Sequence, residues 1–592
     1  MCMSENIVIT GEGIVSAIGK NKQETVEALL AGQTGIGEIR YLDTEHKELP
    51  AGEVKMSNSE MKSLLGFAES DEINRTTLMG IIAVRQALHD AGISTANVNG
   101  RHRRIVLISG TTVGGMDITE KRMKDILAGV TPADCLKSHD AGSSTDRIAG
   151  YFGIFSDRTT ISTACSSAAN AMIVGANMIK AGVADIVVAG GAEALTKFHL
   201  NGFNSLMILD RQMCRPFDET RAGLNLGEGA AFVVMEAEET AIERGVPIHA
   251  FLTGYGNACD AFHQTASSDN GEGAYLAMCQ ALQMANLKPT DIQYINAHGT
   301  GTPNNDLSES VAMKRVFGEE MPLVSSTKSF TGHTTSASGS IEAVICLLAM
   351  RDSFVPGNLG WKNPMAGGIK PTLGIAHCSL ENVLCNSFGF GGNDSSLILS
   401  RYPHPDGKYI KYGDDCIEVV AEVEVTSEEE LSEIRDYVKP IEARRMGKLM
   451  KASMLTSLKA LRIAGVETPD AIVTATALGC LENSEKLLFQ MLDEGEVMLK
   501  PTYFMQSTHN TLGSSVAIRT HCHGYNITYT QGRESLEWAL RDARLLLRSG
   551  KCNIVLVGCH DESTPTFSAL TEKAGMDSMI QVYSKSIVLR RK

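Results

Sequence analysis

Aromatic residues are scarce: Phe, Trp and Tyr together make up 5% of 592 residues, against 56 Gly. That balance points away from a β-sandwich and toward an α/β protein with many tight strand–helix turns. Among 14 Cys there is no CxxC pair and no Cys/His ladder. This excludes a zinc-ribbon or disulfide-framework reading and fits free thiols in a reducing compartment, so a cytoplasmic location is expected. No apolar run is long enough to span a bilayer, and no basic segment followed by an apolar one opens the sequence, so neither membrane insertion nor a signal peptide is expected. An excess of positive charge is also missing. The formal net charge of −15 argues against a general binder of nucleic acid or anionic membrane. The basic runs Arg101 to Arg104 and Lys121-Arg122 read as solvated charge.

A chain this long with 43% apolar residues is expected to form two or more cores. Ile105-Val106-Leu107-Ile108 and Ile186-Val187-Val188-Ala189 read as short buried strands. Between them, Ala168, Met172, Ala176 and Ile179 give Ser166 to Lys180 helical spacing. Strands alternating with helices predict parallel sheets covered by helices. Turn chemistry in Tyr402-Pro403-His404-Pro405-Asp406-Gly407 places a linker over 405–415, between a unit spanning 1–404 and a tail spanning 416–592. The tail is of ordinary domain size.

The tail reads as a degraded copy of an earlier segment. Ile179-Lys180-Ala181-Gly182 through Asp185-Ile186-Val187-Val188-Ala189-Gly190 matches Leu547-Arg548-Ser549-Gly550 through Asn553-Ile554-Val555-Leu556-Val557-Gly558, and Glu193 falls opposite Asp561. Matched from the preceding strand, Gln531 faces Cys165. Matched from the helix, Arg533 does. Neither is a cysteine.

Four segments carry chemistry. In Ile161-Ser162-Thr163-Ala164-Cys165-Ser166-Ser167, a thiol sits where a strand enters a helix. Unpaired backbone N–H groups and the helix dipole there favour thiolate, although a buried structural Cys has the same local sequence. Asn296-Ala297-His298-Gly299-Thr300-Gly301-Thr302 places a His and two hydroxyls on a glycine-loosened loop, with a loop-capping His as the plain alternative. Lys328-Ser329-Phe330-Thr331-Gly332-His333 precedes a small-residue helix, where a neutral imidazole can face developing negative charge. Asn386-Ser387-Phe388-Gly389-Phe390-Gly391-Gly392 is a Gly-rich turn that is either structural or aims a backbone N–H into a site.

In this order the four segments resemble the motifs of the β-ketoacyl carrier-protein synthases, the elongating condensing enzymes of fatty-acid and polyketide synthesis. The resemblance covers about residues 5–402. It implies a thiolase-like α/β fold of two related halves, about 1–250 and 251–404, stacked in five layers and usually paired as a homodimer. It implies that Cys165 accepts an acyl chain from a phosphopantetheine thioester and that His298 and His333 promote decarboxylation of a malonyl thioester. Lys328 would tune the electrostatics with Glu342 nearby. The N–H groups of Cys165 and Phe390 would form the oxyanion hole, with Phe390 and Phe388 at the gate. Thr300 and Thr302 would contact the pantetheine arm, and Asp306 and Glu309 would organise the site. It implies no metal and no resident cofactor; the acyl carrier protein would be the partner.

Two departures stand out. Asn393 follows the Gly pair where Thr is common, which bears on acyl preference. The tail resembles a Cys-less, chain-length-factor-like half synthase fused in cis, expected to be non-catalytic and to shape the acyl pocket or the dimer. Its His509, His521, His523 and His560 lie outside any H-G-T or G-H motif and read as structural. The domain order also resembles fused synthases of aryl-polyene-type pathways. A general fatty-acid synthase and a catalytically silent scaffold are the rivals.

Overall fold

The computed structural model describes residues 6–94, 103–130, 133–403, 416–497, 499–576 and 581–592. Its 15-stranded sheet is built from three copies of one five-stranded module. The first copy comprises β1 (Ile7–Ser16), β2 (Ile105–Gly110), β3 (Asp157–Ile161), β4 (Ile186–Glu193) and β5 (Gly229–Ala237). The second comprises β6 (Ala250–Cys259), β7 (Tyr294–Asn296), β8 (Leu323–Ser325), β9 (Asn382–Gly389) and β10 (Asn393–Ser400). The third comprises β11 (Ile417–Val425), β12 (Ala471–Ala475), β13 (Tyr525–Tyr529), β14 (Ile554–Glu562) and β15 (Val582–Arg591). The spatial orders are β3-β2-β4-β5-β1, β8-β7-β9-β10-β6 and β13-β12-β14-β15-β11. In every copy the first three strands pair parallel and the last two join antiparallel. The linker placed over 405–415 lies outside the described residues.

Eight helices position the site: α1 (Arg75–Asp90), α2 (Ala141–Phe152), α3 (Ser167–Lys180), α4 (Glu272–Ala285), α5 (Ser338–Asp352), α6 (Lys448–Ala464), α7 (Thr511–Thr520) and α8 (Ser535–Arg548). In the first two modules α3 and α5 lie between the sheets, sharing one core with Val187, Val233, Leu252 and Leu397. Helix α1 covers one outer face and α4 the other. These are the five layers of a thiolase-like fold. A helix between two sheets must be slim, and α3 is rich in Ala with Gly175 at its middle. A Cβ on Gly175 would lie 2.7 Å from Met235 and 2.8 Å from Val187. Among the described residues the third module is a single half, three layers deep, with α6 on one face of its sheet and α8 on the other.

The third module joins the first through β13 and β3, whose equivalent residues Tyr529 and Ile161 face each other antiparallel. Ser162 donates to the Thr528 carbonyl at 2.9 Å, and Thr530 donates to the Thr160 carbonyl at 3.0 Å. The two bonds are images of each other about a local two-fold axis, the mark of an isologous contact made here within one chain. Matching hydrogen bonds and backbone angles in the two modules settle the opposite number of Cys165. Ser167 and Ser535 open α3 and α8, and each accepts a hydrogen bond from the backbone N–H four residues earlier, Thr163 and Gln531. Ala164 and Gly532 share a left-handed φ of 52° and 51°. Arg533 therefore stands opposite Cys165, and Gln531, matched to it from the strand side, stands opposite Thr163.

Candidate active site

Cys165 sits at the turn between β3 and α3, just after the strained Ala164. Its Sγ lies 3.1 Å from Nε2 of His333. Nδ1 of His333 lies 3.0 Å from Oγ of Ser338, the first residue of α5. With Nδ1–H donated to that hydroxyl, Nε2 is left as the acceptor facing the thiol. The His298 ring meets the His333 ring edge to face, with centroids 5.3 Å apart, and stands 5.7 Å from Phe388. Nζ of Lys328 lies 3.3 Å from Nδ1 of His298 and is paired with Glu342, both fully buried.

The electrostatics correct one expectation. Burial pushes the Cys165 thiol up to about 12, against the pull of Lys328 and of the Phe390 N–H directed at the sulfur. Desolvation outweighs the helix terminus, so the resting group is a thiol hydrogen-bonded to imidazole rather than a standing thiolate. Both imidazoles are held well below their ordinary range, by burial first and by the Lys328 cation second. They are neutral, as an acceptor for the thiol proton and a donor to an oxyanion require.

Cys165, His298, His333, Thr300, Thr302, Phe388 and Phe390 line one cavity of about 420 Å³ that reaches the surface at Met207 and Asn304. Thr300 and Thr302, expected along the pantetheine arm, both line it. Asp306, Glu309 and Glu342 are buried behind it as loop anchors. Glu309 accepts from the N–H groups of His298 and Gly299 at 2.8 and 2.7 Å, and Asp306 from those of Phe217 and Gly301 at 2.8 and 3.1 Å. Burial raises Glu309 and Glu342 to about 7. Gly389 packs against the nucleophile turn, where a Cβ would come within 2.8 Å of the Thr163 carbonyl oxygen. A larger surface cleft, about 840 Å³ beside Glu428 and Lys448, is lined by neither Cys nor His and lies on the third module. Glu12, Asp90 and His249 also converge, but Nζ of Lys22 stands 3.1 Å from Glu12 and 2.6 Å from Asp90, so an ammonium already takes the cation's place.

The third module reaches this site with residues that motif reading missed. Asn510, which precedes α7, donates to the Phe390 carbonyl at 2.8 Å, and Ser514 packs on Gly391. Asn393, the departure after the Gly pair, accepts from Ser166 and Asn170 at 2.9 and 2.8 Å and donates to the Asn526 carbonyl of the third module. His509 bonds Ser162 at 2.9 Å. His523 and His560 make contacts to Cys259 and Ser584 within the packed interior, consistent with structural roles. The one advance signal was the Asn at position 393.

A thiol and two neutral imidazoles converging at the centre of a thiolase-like fold define the class of condensing enzymes. The chain belongs to the β-ketoacyl synthase family. Models of the β-ketoacyl synthase N-terminal domain match residues 4–241 and 421–584, and the C-terminal-domain model matches 249–362. A 3-oxoacyl-[acyl-carrier-protein] synthase 2 of Vibrio cholerae is 36% identical over 413 residues, which is 67% of this chain and 99% of the relative. The solved ishigamide ketosynthase/chain length factor is 32% identical, with a TM-score of 0.63, and covers 67% of this chain and 100% of that one. The PfaC ketosynthase–chain length factor shares the fold over 99% of this chain and 78% of its own, with a TM-score of 0.78 at 16% identity. Among the described residues no helix is long and apolar enough to cross a membrane.

Proposed function

We propose that the chain catalyses decarboxylative condensation of an acyl group held on Cys165 with a malonyl-carrier-protein thioester. In the first step His333 takes the thiol proton as sulfur attacks the acyl thioester. The carrier thiol leaves with that proton, and the acyl group is now bonded to Cys165. In the second step the malonyl thioester loses CO2, and its enolate oxygen accepts an N–H bond from His298 and, with the tautomer of His333 reversed so that the Ser338 hydroxyl donates to Nδ1, a second from Nε2 of His333. The enolate carbon attacks the acyl carbonyl, whose oxyanion is held by the Cys165 and Phe390 N–H groups, and the Cys165 sulfur is released with formation of a 3-oxoacyl thioester. One such donor is worth about 2.7–4 kcal/mol of barrier. Holding the acyl group covalently makes the second step effectively unimolecular. The phosphopantetheine arm is a substrate carrier, running past Thr300 and Thr302.

The observation that carries this reading is the 3.1 Å contact between Cys165 and His333 inside a cavity shared with His298. The third module is proposed as a non-catalytic chain-length-factor-like partner in cis, supported by the arginine opposite Cys165 and by the lack, among the described residues, of a counterpart to the half that carries His298 and His333. It fills the place opposite β3, so a homodimer would have to form through another surface. Intact-protein mass spectrometry with a panel of acyl thioesters, followed by addition of malonyl carrier thioester, tests the reading. Acylation at Cys165 and a 3-oxoacyl product are expected; an unmodified Cys165 with every thioester would refute it.

A further inference from the structure

Behind the Cys165 chamber lies a second cavity, of about 50 Å³, which the condensation steps above do not use. It sits on the local two-fold axis between the first and third modules. Val113 and Leu478, which follow the equivalent strands β2 and β12, both line it. So do His139 and His509, which immediately precede Asp140 and Asn510 at the starts of α2 and α7. An aromatic wall divides the two spaces. Phe203 stacks on Phe390 at 5.6 Å and meets Phe504 at 5.2 Å, and Phe504 in turn lines the inner cavity. An acyl chain on Cys165 that turns the Phe390 ring aside runs past Phe203 into this space.

The inner cavity is not furnished as an alkyl pocket. His139, His199 and His509 all line it, and each commits one ring nitrogen to a hydroxyl: His139 to Thr119 at 2.9 Å, His199 to Thr112 at 3.4 Å and His509 to Ser162 at 2.9 Å. The second nitrogen of each ring has no hydrogen-bond partner among the described residues. Desolvation drives His139 and His509 down to about 4, so they offer neutral donor or acceptor atoms rather than charge.

We infer that this cavity selects acyl chains bearing a hydroxyl or carbonyl oxygen near the distal end over plain alkyl chains. The inference rests on the condensing reading and narrows its substrate class. A methyl terminus would strip water from the imidazoles and return no hydrogen bond, whereas an oxygen returns one. Sites built to bond a substrate hydroxyl discriminate strongly against the analogue that lacks it.

The test uses the purified full chain and pairs of acyl-pantetheine thioesters of increasing length, each pair differing only in a terminal hydroxyl against a terminal methyl. Acylation of Cys165 is followed by mass spectrometry, with acetyl-pantetheine as the control too short to reach the inner cavity. At the length that reaches it, the hydroxyl member is expected to load about ten-fold faster. His509→Phe and His139→Leu are expected to bring that ratio toward unity while acetyl loading persists. Alkyl members loading as fast at every length, or a preference untouched by both substitutions, overturns the inference while leaving the condensing reading in place. Failure of every thioester, acetyl included, overturns the condensing reading and this inference with it.

Discussion

Helices α3 and α8 leave the same strand–turn geometry and end in opposite surroundings. Helix α3 is buried on all sides up to Ile179, because the second half of the synthase lies across it. Helix α8 buries Trp538, Ala539, Ala543 and Leu547 on one face and exposes Glu537, Arg541 and Arg544 on the other. Two of the exposed side chains are employed locally: Arg541 pairs with Asp157 and Glu537. The third module is thus not a truncated enzyme with a bare core. Its sequence suits a three-layer setting, with charge at Glu537, Arg541 and Arg544 where α3 carries Ala169, Ile173 and Ala176. The proposed reaction needs a nucleophile from one half and two imidazoles from the other, and among the described residues the third module carries Arg533 in the nucleophile's place and no counterpart of the His298 and His333 loops.

The sharpest way to break the comparison is to exchange the nucleophile. Cys165→Ala is expected to lower condensation by at least about 10⁴-fold, and adding Arg533→Cys to it should restore nothing, since no imidazole pair faces that position. Recovery of 3-oxoacyl product in the double variant would show that the copy retains a usable site. Next in size, His298→Ala and His333→Ala should each cost about 10²–10³-fold in product formation. Only His333→Ala, which removes the acceptor 3.1 Å from sulfur, should also slow Cys165 acylation markedly. Equal loading rates in the two variants would count against a role for His333 in taking the thiol proton.

The helices themselves give a third contrast. Ala176→Arg places an unpaired charge in the central layer and should cost about 3–5 kcal/mol or abolish folding, whereas Arg544→Ala on α8 should stay within about 0.5 kcal/mol. Denaturant midpoints for the two variants read the difference. The smallest effect is in pH. An ordinary imidazole is half protonated near pH 6.5. Burial and Lys328 hold His298 and His333 well below that, so their neutral forms persist as pH falls through this value. Ring NMR signals of His298 and His333 should therefore stay those of neutral imidazole from about pH 7.5 to 6, a window in which Glu309 and Glu342, raised to about 7, titrate instead. Protonation of either ring centred on the ordinary imidazole value would mean that the rings are more solvated than the structure has them.

What sequence reading reached, and what it missed, divides along physical lines. Residues whose role is set by neighbours in the chain were legible: the Cys165 turn, the His298 loop, the His333 loop before α5 and the Gly-rich turn at Phe390 all lie in one chamber. The opposite number of Cys165 stayed ambiguous because a strand pattern of period two is unchanged by a shift of two residues; the helix-side match to Arg533 was the sound one. The thiolate expectation failed because a helix terminus is visible in sequence and burial is not. Asp306 and Glu309, expected to organise the site, turn their carboxylates inward to backbone N–H groups, and Glu342 lies beside Lys328 as expected. His509, read as structural, bonds Ser162 across the local two-fold axis, a contact between modules that nothing local in the sequence marks.

The bond pair between Ser162 and Thr528 and between Thr530 and Thr160 has a kinetic consequence. When two such surfaces belong to separate polypeptides, their union is second order and fails on dilution. Tethered in one polypeptide, they meet at a fixed effective concentration. Specific activity should therefore be independent of enzyme concentration down to the lowest assayable level, and each molecule carries its third module in strict one-to-one ratio.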